Sequence, residues 1–295
     1  MIDLHAHTIE SDGEKTPEEL IDLAINKGIT ALAITDHDTA DGIEIAINYA
    51  KDKKIIFIPG IELDAKVLKG QMHILGLCVN HKEKEFNDKL ESIKKEREDR
   101  NTRFIETFNK MGVEITIEEL REVSSGKVIG KPHFAKVFLK KGYIQTKAEM
   151  FDKYFNQPPF SEIKKSTLSP EEIIKLIKKA GGIAVLAHPQ SLKLIDVELR
   201  EKVAELKSYG LDGLECYHSG QTFEQSQSFK EIAQQFNLII TKGSDYHGPI
   251  TKPNVQLGTG INNNIVSQDD EVILKNFLDY YTNQNKNKCY YQDEH

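Results

Sequence analysis

With 295 residues, the chain is long enough to bury a sizeable core, either as one large domain or as a domain carrying an insertion. Its net charge of −7 argues against a general binder of long duplex nucleic acid, and its longest apolar runs, such as IIFIPGI and GIAVLA, are far too short to cross a bilayer. Cys78, Cys216 and Cys289 form no CxxC and read as reduced thiols, and Asp3, His5 and His7 sit where a secretory leader would need apolar residues, so a cytoplasmic protein is expected.

The chain opens MIDLHAHTIESDG. Read as a strand, DLHAH alternates Asp3, His5 and His7 with Leu4 and Ala6, which places the three polar groups on one face. Taken alone, such an HxH is equally well an edge strand with a wet face. Thr16-Pro17-Glu18-Glu19 then supplies a helix cap, a first-turn proline and acids, leading into LIDLAINKG with its terminal Gly28. ALAIT (31–35), IIFIPGI (55–61) and MHILGLCV (72–79) read as buried strands.

From about Lys82 the rhythm breaks. A long charged helix to Lys110 precedes MGVEITIEEL, GKPHFAKVFLKKG and the proline-containing NQPPFSEIKKSTLSP, which together read as a small helical insertion. Residues 82–165 hold 19 Lys+Arg against 15 Asp+Glu, whereas the remainder holds 20 against 31. The relatively basic middle could face an anion, or could be solvated surface with i,i+4 ion pairs. Ser169-Pro170-Glu171-Glu172 restarts the helix grammar, and GIAVLA (182–187), DGLECY (212–217) and LIITKG (238–243) complete the strands. Alternating strands and helices imply a largely parallel α/β sheet, open or closed. The expected division is barrel from 1–95, helical insertion 96–168, barrel again 169–285, and a frayed tail 286–295.

The histidines carry the functional signal. His5 and His7 follow the first strand run, His37 follows ALAIT in TDHD, and Glu62 follows IIFI in PGIEL. His73 begins MHILGL, His188 follows GIAVLA, and Asp245 and His247 lie in GSDYH after LIITK. The carboxyl ends of parallel strands converge on one face, where active sites form. His73, at the start of its run, fits that rule only on an antiparallel or bent strand. Imidazoles and carboxylates without thiolates suit borderline divalent ions such as Zn²⁺, Mn²⁺ or Fe²⁺. Asp36 and Asp38 flank His37 in supporting positions, and His81 and His295 have polar surroundings and no assigned role.

In that order, DLHAHT…SDG, TDHD, PGIE, HILG, AHP and GSDYH resemble the polymerase-and-histidinol-phosphatase (PHP) superfamily across nearly the whole chain apart from the insertion. The insertion, its GKPHFAK segment and the later ECYHS resemble the stand-alone PHP phosphoesterases of the nucleoside 3′,5′-bisphosphate phosphatase and RNase AM (5′→3′ exoribonuclease) type. That group usually shows arginine where this chain has Lys131, which keeps the charge but loses the planar fork. The resemblance implies a distorted (β/α)7 barrel holding two to three divalent ions (Mn²⁺, Fe²⁺ or Zn²⁺). It implies His5, His7, Asp12, His37, Glu62, His73, His188, Asp245 and His247 as ligands, with Glu62 shared between ions.

The expected chemistry is hydrolysis of a phosphate ester by a metal-activated hydroxide, with Glu62 and Asp245 as the catalytic carboxylates. Arg100, Lys131, His133 and His218 are the candidates to hold a second phosphate or the leaving group of a phosphorylated nucleotide or a short single-stranded RNA 5′ end. A histidinol-phosphatase-like phosphomonoesterase and an amidohydrolase-type metal hydrolase are the competing enzymatic readings. No long duplex and no membrane is expected as a partner.

Overall fold

Among the described residues seven strands pair strictly in chain order: β1 (Ile2–Ala6), β2 (Ala31–Ile34), β3 (Ile56–Ala65), β4 (Met72–Leu77), β5 (Ile183–Leu186), β6 (Gly213–His218) and β7 (Ile239–Gly243). The structure is a computed structural model and describes residues 1–124, 128–163 and 168–285. The expected tail 286–295, with Cys289 and His295, lies outside them. All pairings are parallel except the two made by β4, which runs against β3 and β5. The sheet then curls until its ends meet. His7 N–H donates to Tyr246 O (2.9 Å) and Asp245 N–H to His5 O (2.8 Å), joining the end of β7 to β1. A Cβ on Gly243 would sit 2.1 Å from that of His5, so only glycine lets the two edges approach.

The connecting helices are α1 (Pro17–Asn26), α2 (Asp41–Ala50), α3 (Lys84–Lys110), α4 (Ile117–Ser124), α5 (Lys131–Lys140), α6 (Lys147–Met150), α7 (Pro170–Lys179), α8 (Asp196–Tyr209), α9 (Phe223–Gln235) and α10 (Asp270–Asn285). Thr16 and Ser169 close capping boxes with Glu19 and Glu172, so both helix starts read from sequence are real. No helix among the described residues is long and apolar enough to cross a membrane.

The strands pack differently on their two faces. Outward residues such as Leu32, Phe57, Leu186 and Leu214 join α1, α2, α7, α8 and α9 in the largest core. Inward residues such as Ile2, Leu4, Ala33, Ile58 and Val185 form a second cluster, against which Ile273, Phe277 and Tyr281 of α10 pack.

Strict alternation in β1 would put Leu4 and Ala6 in one cluster, but Leu4 lies in the inner one and Ala6 in the outer. The β1–β2 register shifts between Asp3 and Ala6. This irregularity re-aims His5, and it overturns the expectation that Asp3, His5 and His7 share a face. Asp3 instead accepts from Ser244 N (2.9 Å) and Gly258 N (2.7 Å).

The stripe buried by α3 is apolar at both ends and cationic in the middle. Phe86, Leu90 and Ile93 belong to the barrel core. Phe104 and Phe108 belong to a separate aromatic cluster with Phe134, Phe138, Phe155 and Phe160. Between them Arg97 and Arg100 are buried, not part of a solvated face. Cys216 is a free buried thiol, whereas Cys78 is disulfide-bonded, which corrects the reading of all three cysteines as reduced.

Candidate metal centre

Because β4 runs opposite to its neighbours, its first residues lie at the same barrel end as the last residues of the parallel strands. His73 therefore joins His5, His7, His37, Glu62, His188, Asp245 and His247 at one mouth, with Asp12 arriving on the loop after β1. Thr8 N–H, Thr8 Oγ1 and Ser11 Oγ all donate to Asp36 (2.8, 2.6 and 2.5 Å), and this folds that loop over the opening. Asp38, His188 and Asp245 each hold a positive φ, a conformation uncommon for non-glycine residues.

Glu62 is the hub. Its Oε2 lies 3.3 Å from His5 Nε2 and 3.2 Å from both His7 Nε2 and His37 Nδ1. Its Oε1 meets His73 Nδ1 at 2.7 Å and His188 Nε2 at 2.9 Å. Asp245 Oδ1 faces His7 Nε2 and His247 Nδ1 at 3.3 Å each, and Asp12 Oδ1 faces His247 Nε2 at 3.2 Å. Eight of the nine expected ligands fall into three groups whose donor atoms lie within 4.8 Å of one another, and His188 stands beside them on Glu62.

The residues fit divalent ions. His5 Nε2, His7 Nε2, His37 Nδ1 and Glu62 Oε2 are buried with no hydrogen-bond partner among the described residues, and all four converge on one point. Leaving such atoms unsatisfied is costly, and a cation removes the cost. The electrostatics agree. Burial opposes ionisation of Glu62, but His37, His73 and His5 hold it well below the carboxylate range; Lys252, His247 and His5 do the same for buried Asp245. Burial opposes the charging of His7 too, yet Asp245 and Glu62 raise it to about 9. Burial keeps His37 neutral by lowering it to about 4, and lowers His188 and His247 as well. The carboxylates thus hold protons on His5, His7 and His73 and the ammonium of Lys252 against the cost of burial, and bound cations could take the place of those protons.

Of the four residues expected to touch substrate, two line a cleft of about 210 Å³ that opens on Asp12, His37 and His73. They are Arg100 and Lys131, and Arg97 stands with them. Lys131 Nζ lies 4.9 Å over the Phe155 ring and Arg100 lies 5.5 Å over Phe104, so the aromatic cluster supports both cations. His133 lines neither this cleft nor its neighbour. Its Nδ1 accepts the Gly130 N–H at 2.9 Å and caps α5. His218 packs into the cluster instead: Nδ1 accepts from Gly220 N (2.9 Å), so the proton is on Nε2, which donates to Asp245 Oδ2 (3.2 Å).

Four contributors were not singled out from the sequence. Glu215 accepts from His5 Nδ1 (2.9 Å) and His188 N (2.7 Å). Asp64 meets His73 Nε2 at 3.0 Å, Lys252 pairs with Asp245, and Arg97 pairs with Asp38. Only Glu215 carried a signal, as an ionisable residue inside the apolar DGLECY strand.

The PHP domain family matches residues 3–158, more than half of the chain. The chain belongs to the PHP family. A 5′-3′ exoribonuclease of Haemophilus influenzae is 31% identical over 84% of this chain and 90% of its own length. A 3′,5′-nucleoside bisphosphate phosphatase of Chromobacterium violaceum is 28% identical over 84% and 87%. A Bifidobacterium adolescentis structure described as a metal-dependent phosphoesterase superimposes with a TM-score of 0.79, at 29% identity over 94% of each chain. The barrel is thus a PHP barrel and the protein a PHP phosphoesterase.

Proposed function

We propose that this phosphoesterase hydrolyses phosphate esters of nucleotides, with nucleoside 3′,5′-bisphosphates and 5′-phosphorylated short RNA as substrates. One observation carries the reading: a single cleft has Asp12, His37 and His73 on one side and Arg97, Arg100 and Lys131 on the other. A phosphate at the carboxylate–imidazole cluster and a second anion at the cations would bridge it. The names of the two curated relatives support this choice.

In this reading His5, His7, Asp12, His37, Glu62, His73, His188, Asp245 and His247 hold two or three ions of the Mn²⁺, Fe²⁺ or Zn²⁺ class, and Glu62 is shared. Such ions, when bound, neutralise phosphoryl oxygens and lower the pKa of a coordinated water toward neutrality. The chain's own part is orientation. Glu215 accepts a hydrogen bond from His5 Nδ1 and leaves Nε2 directed at the cluster. His218 and Lys252 occupy Asp245 Oδ2 and leave Oδ1 toward His7 and His247. Arg100 and Lys131 bind the second anion, and residues 96–168 act as the cap that carries them.

The test is a substrate panel with metal analysis. Each charge-assisted contact to a phosphate contributes roughly 1.5–3 kcal/mol. Adenosine 3′,5′-bisphosphate should therefore exceed p-nitrophenyl phosphate in kcat/KM by about two decades or more. Equal values, or an active enzyme free of metal, would overturn the reading.

A further inference from the structure

A second cleft, of about 180 Å³, opens on the other side of the same metal centre. It is lined by Asp12 and His247 from the cluster, Pro132, Ala135 and Phe151 from the insertion, and Thr251 and Lys252 from the loop after β7, with Lys147 at its edge. Asp12, Pro132 and Phe151 also line the first cleft, so the two meet at Asp12 with Pro132 and Phe151 between them. At ~30 Å³ per water the space equals about six waters, enough for one flat heterocycle.

Its chemistry is amphipathic. Pro132, Ala135 and Phe151 give apolar surface. The Lys147 ammonium is held there by the carbonyl oxygens of Ile250 (2.8 Å) and Thr251 (3.5 Å). Lys136, one turn beyond Pro132 on α5, is close enough to act on Lys147 as a like charge. Thr251 Oγ1 is buried and has no hydrogen-bond partner among the described residues. The loop itself is pinned, because Glu14 accepts the N–H groups of Ile250 and Thr251. A Cβ on Gly248 would lie 2.6 Å from the Glu14 side chain, so the turn needs glycine.

We propose that this second cleft binds the nucleotide that follows the scissile phosphate in single-stranded RNA. The inference rests on the nucleotide-ester reading above and extends it. Cations stand at both clefts: Arg97, Arg100 and Lys131 line the first, and Lys147 lines the second with Lys136 near it, while Lys252, also in its lining, is paired with Asp245. A mononucleotide bisphosphate needs only the first set. An RNA with its 5′-phosphate among Arg100 and Lys131 and its next phosphate at the cluster must send the rest of the chain elsewhere, and the second cleft offers apolar surface for a base beside cations for a phosphate.

The experiment compares kcat/KM for a 5′-phosphorylated tetraribonucleotide with that for adenosine 3′,5′-bisphosphate, in metal-loaded wild type and two variants. Thr251→Trp fills the cleft, and Lys136→Glu reverses a partly buried charge near Lys147 without touching the loop. Each should lower the RNA-to-bisphosphate ratio, Thr251→Trp by tenfold or more and Lys136→Glu about threefold. The Lys136→Glu effect should shrink in high salt. A ratio unchanged in both variants would overturn the inference. Wild type that cleaves the bisphosphate but not the RNA would overturn it while leaving the nucleotide reading intact. Wild type inactive on both would overturn both.

Discussion

Glu215 shows how much of this site depends on residues that never face substrate. Buried at 0% exposure, its carboxylate accepts one hydrogen bond from the His5 ring and one from the His188 backbone N–H, so it fixes the direction of one imidazole and the main chain that carries a second. Glu215→Gln keeps the shape but can orient the amide only at the expense of one contact. Metal affinity should fall by ~10–100-fold with the fold intact, read by competition with a chromophoric chelator. Glu62→Ala should do more: loss of at least one ion and of nearly all activity, measured by elemental analysis beside turnover. On the opposite wall, Lys131→Ala should lower kcat/KM for the bisphosphate ~10–100-fold and leave metal content unchanged. Because Lys131 sits over the Phe155 ring, part of its effect is the rigidity of a supported cation. Equal losses of metal and activity in the Lys131 variant would mean that it supports the cluster instead of the substrate.

At the scale of elements, the strands and the strand-end histidines were legible because short continuous apolar runs and helix caps are local signals. ALAIT, IIFIPGI and LIITKG all lie where buried strands were expected, and the misfit of His73 pointed to the reversal of β4. What was not legible depended on contacts far apart in sequence. The irregularity in β1 is set by closure against β7, with Gly243 pressed on His5 across more than two hundred residues. Lys252 and Asp64 sit in ordinary polar surroundings in sequence, and only the fold brings them to Asp245 and His73. Helix α3 misleads for a different reason. Its charges suggest a wet surface, yet Arg97 and Arg100 continue the buried stripe between two apolar segments. That helix couples barrel and insertion, and so Phe108, stacked on Phe160 with ring centroids 4.2 Å apart, is a way to loosen the insertion alone. Phe108→Ala should cost about 3–5 kcal/mol locally. It should raise KM for the bisphosphate through disordered cations, while bound metal stays constant. Limited proteolysis beside metal analysis checks both, and loss of metal with the cut would show that the two cores unfold as one.

For the whole molecule, the metal centre is also where the barrel is closed. Asp245 and His247 arrive from the β7 end, His5 and His7 from β1, and Glu62 from the middle of the sheet, so bound ions would tie the first strand to the last. Without them the carboxylates at the seam are relieved by Lys252 and by protons on the histidines. His7 is raised to about 9 by Asp245 and Glu62 against its burial, and His5 and His73 move in the same direction. A group whose folded pKa exceeds its unfolded value stabilises the fold fully below the unfolded value, and that contribution is lost as pH rises through the folded one. For His7 the window runs from about 6.5 to about 9, and the contribution is on the order of 3 kcal/mol. His37 acts oppositely. Lowered to about 4 by burial, it is stabilising when neutral, and that contribution is lost as pH falls from about 6.5 toward 4. Chelated protein should therefore be most stable near pH 6.5 and its Tm should drop on both sides. Metal-loaded protein should hold its Tm to pH 9, because the ions replace the protons and add RT ln(1 + [M]/Kd) of stability. The gap between the two melting curves should widen steadily from pH 6.5 to 9. A gap that stays constant over that range would show that the cluster is not the charge on which the closed barrel depends.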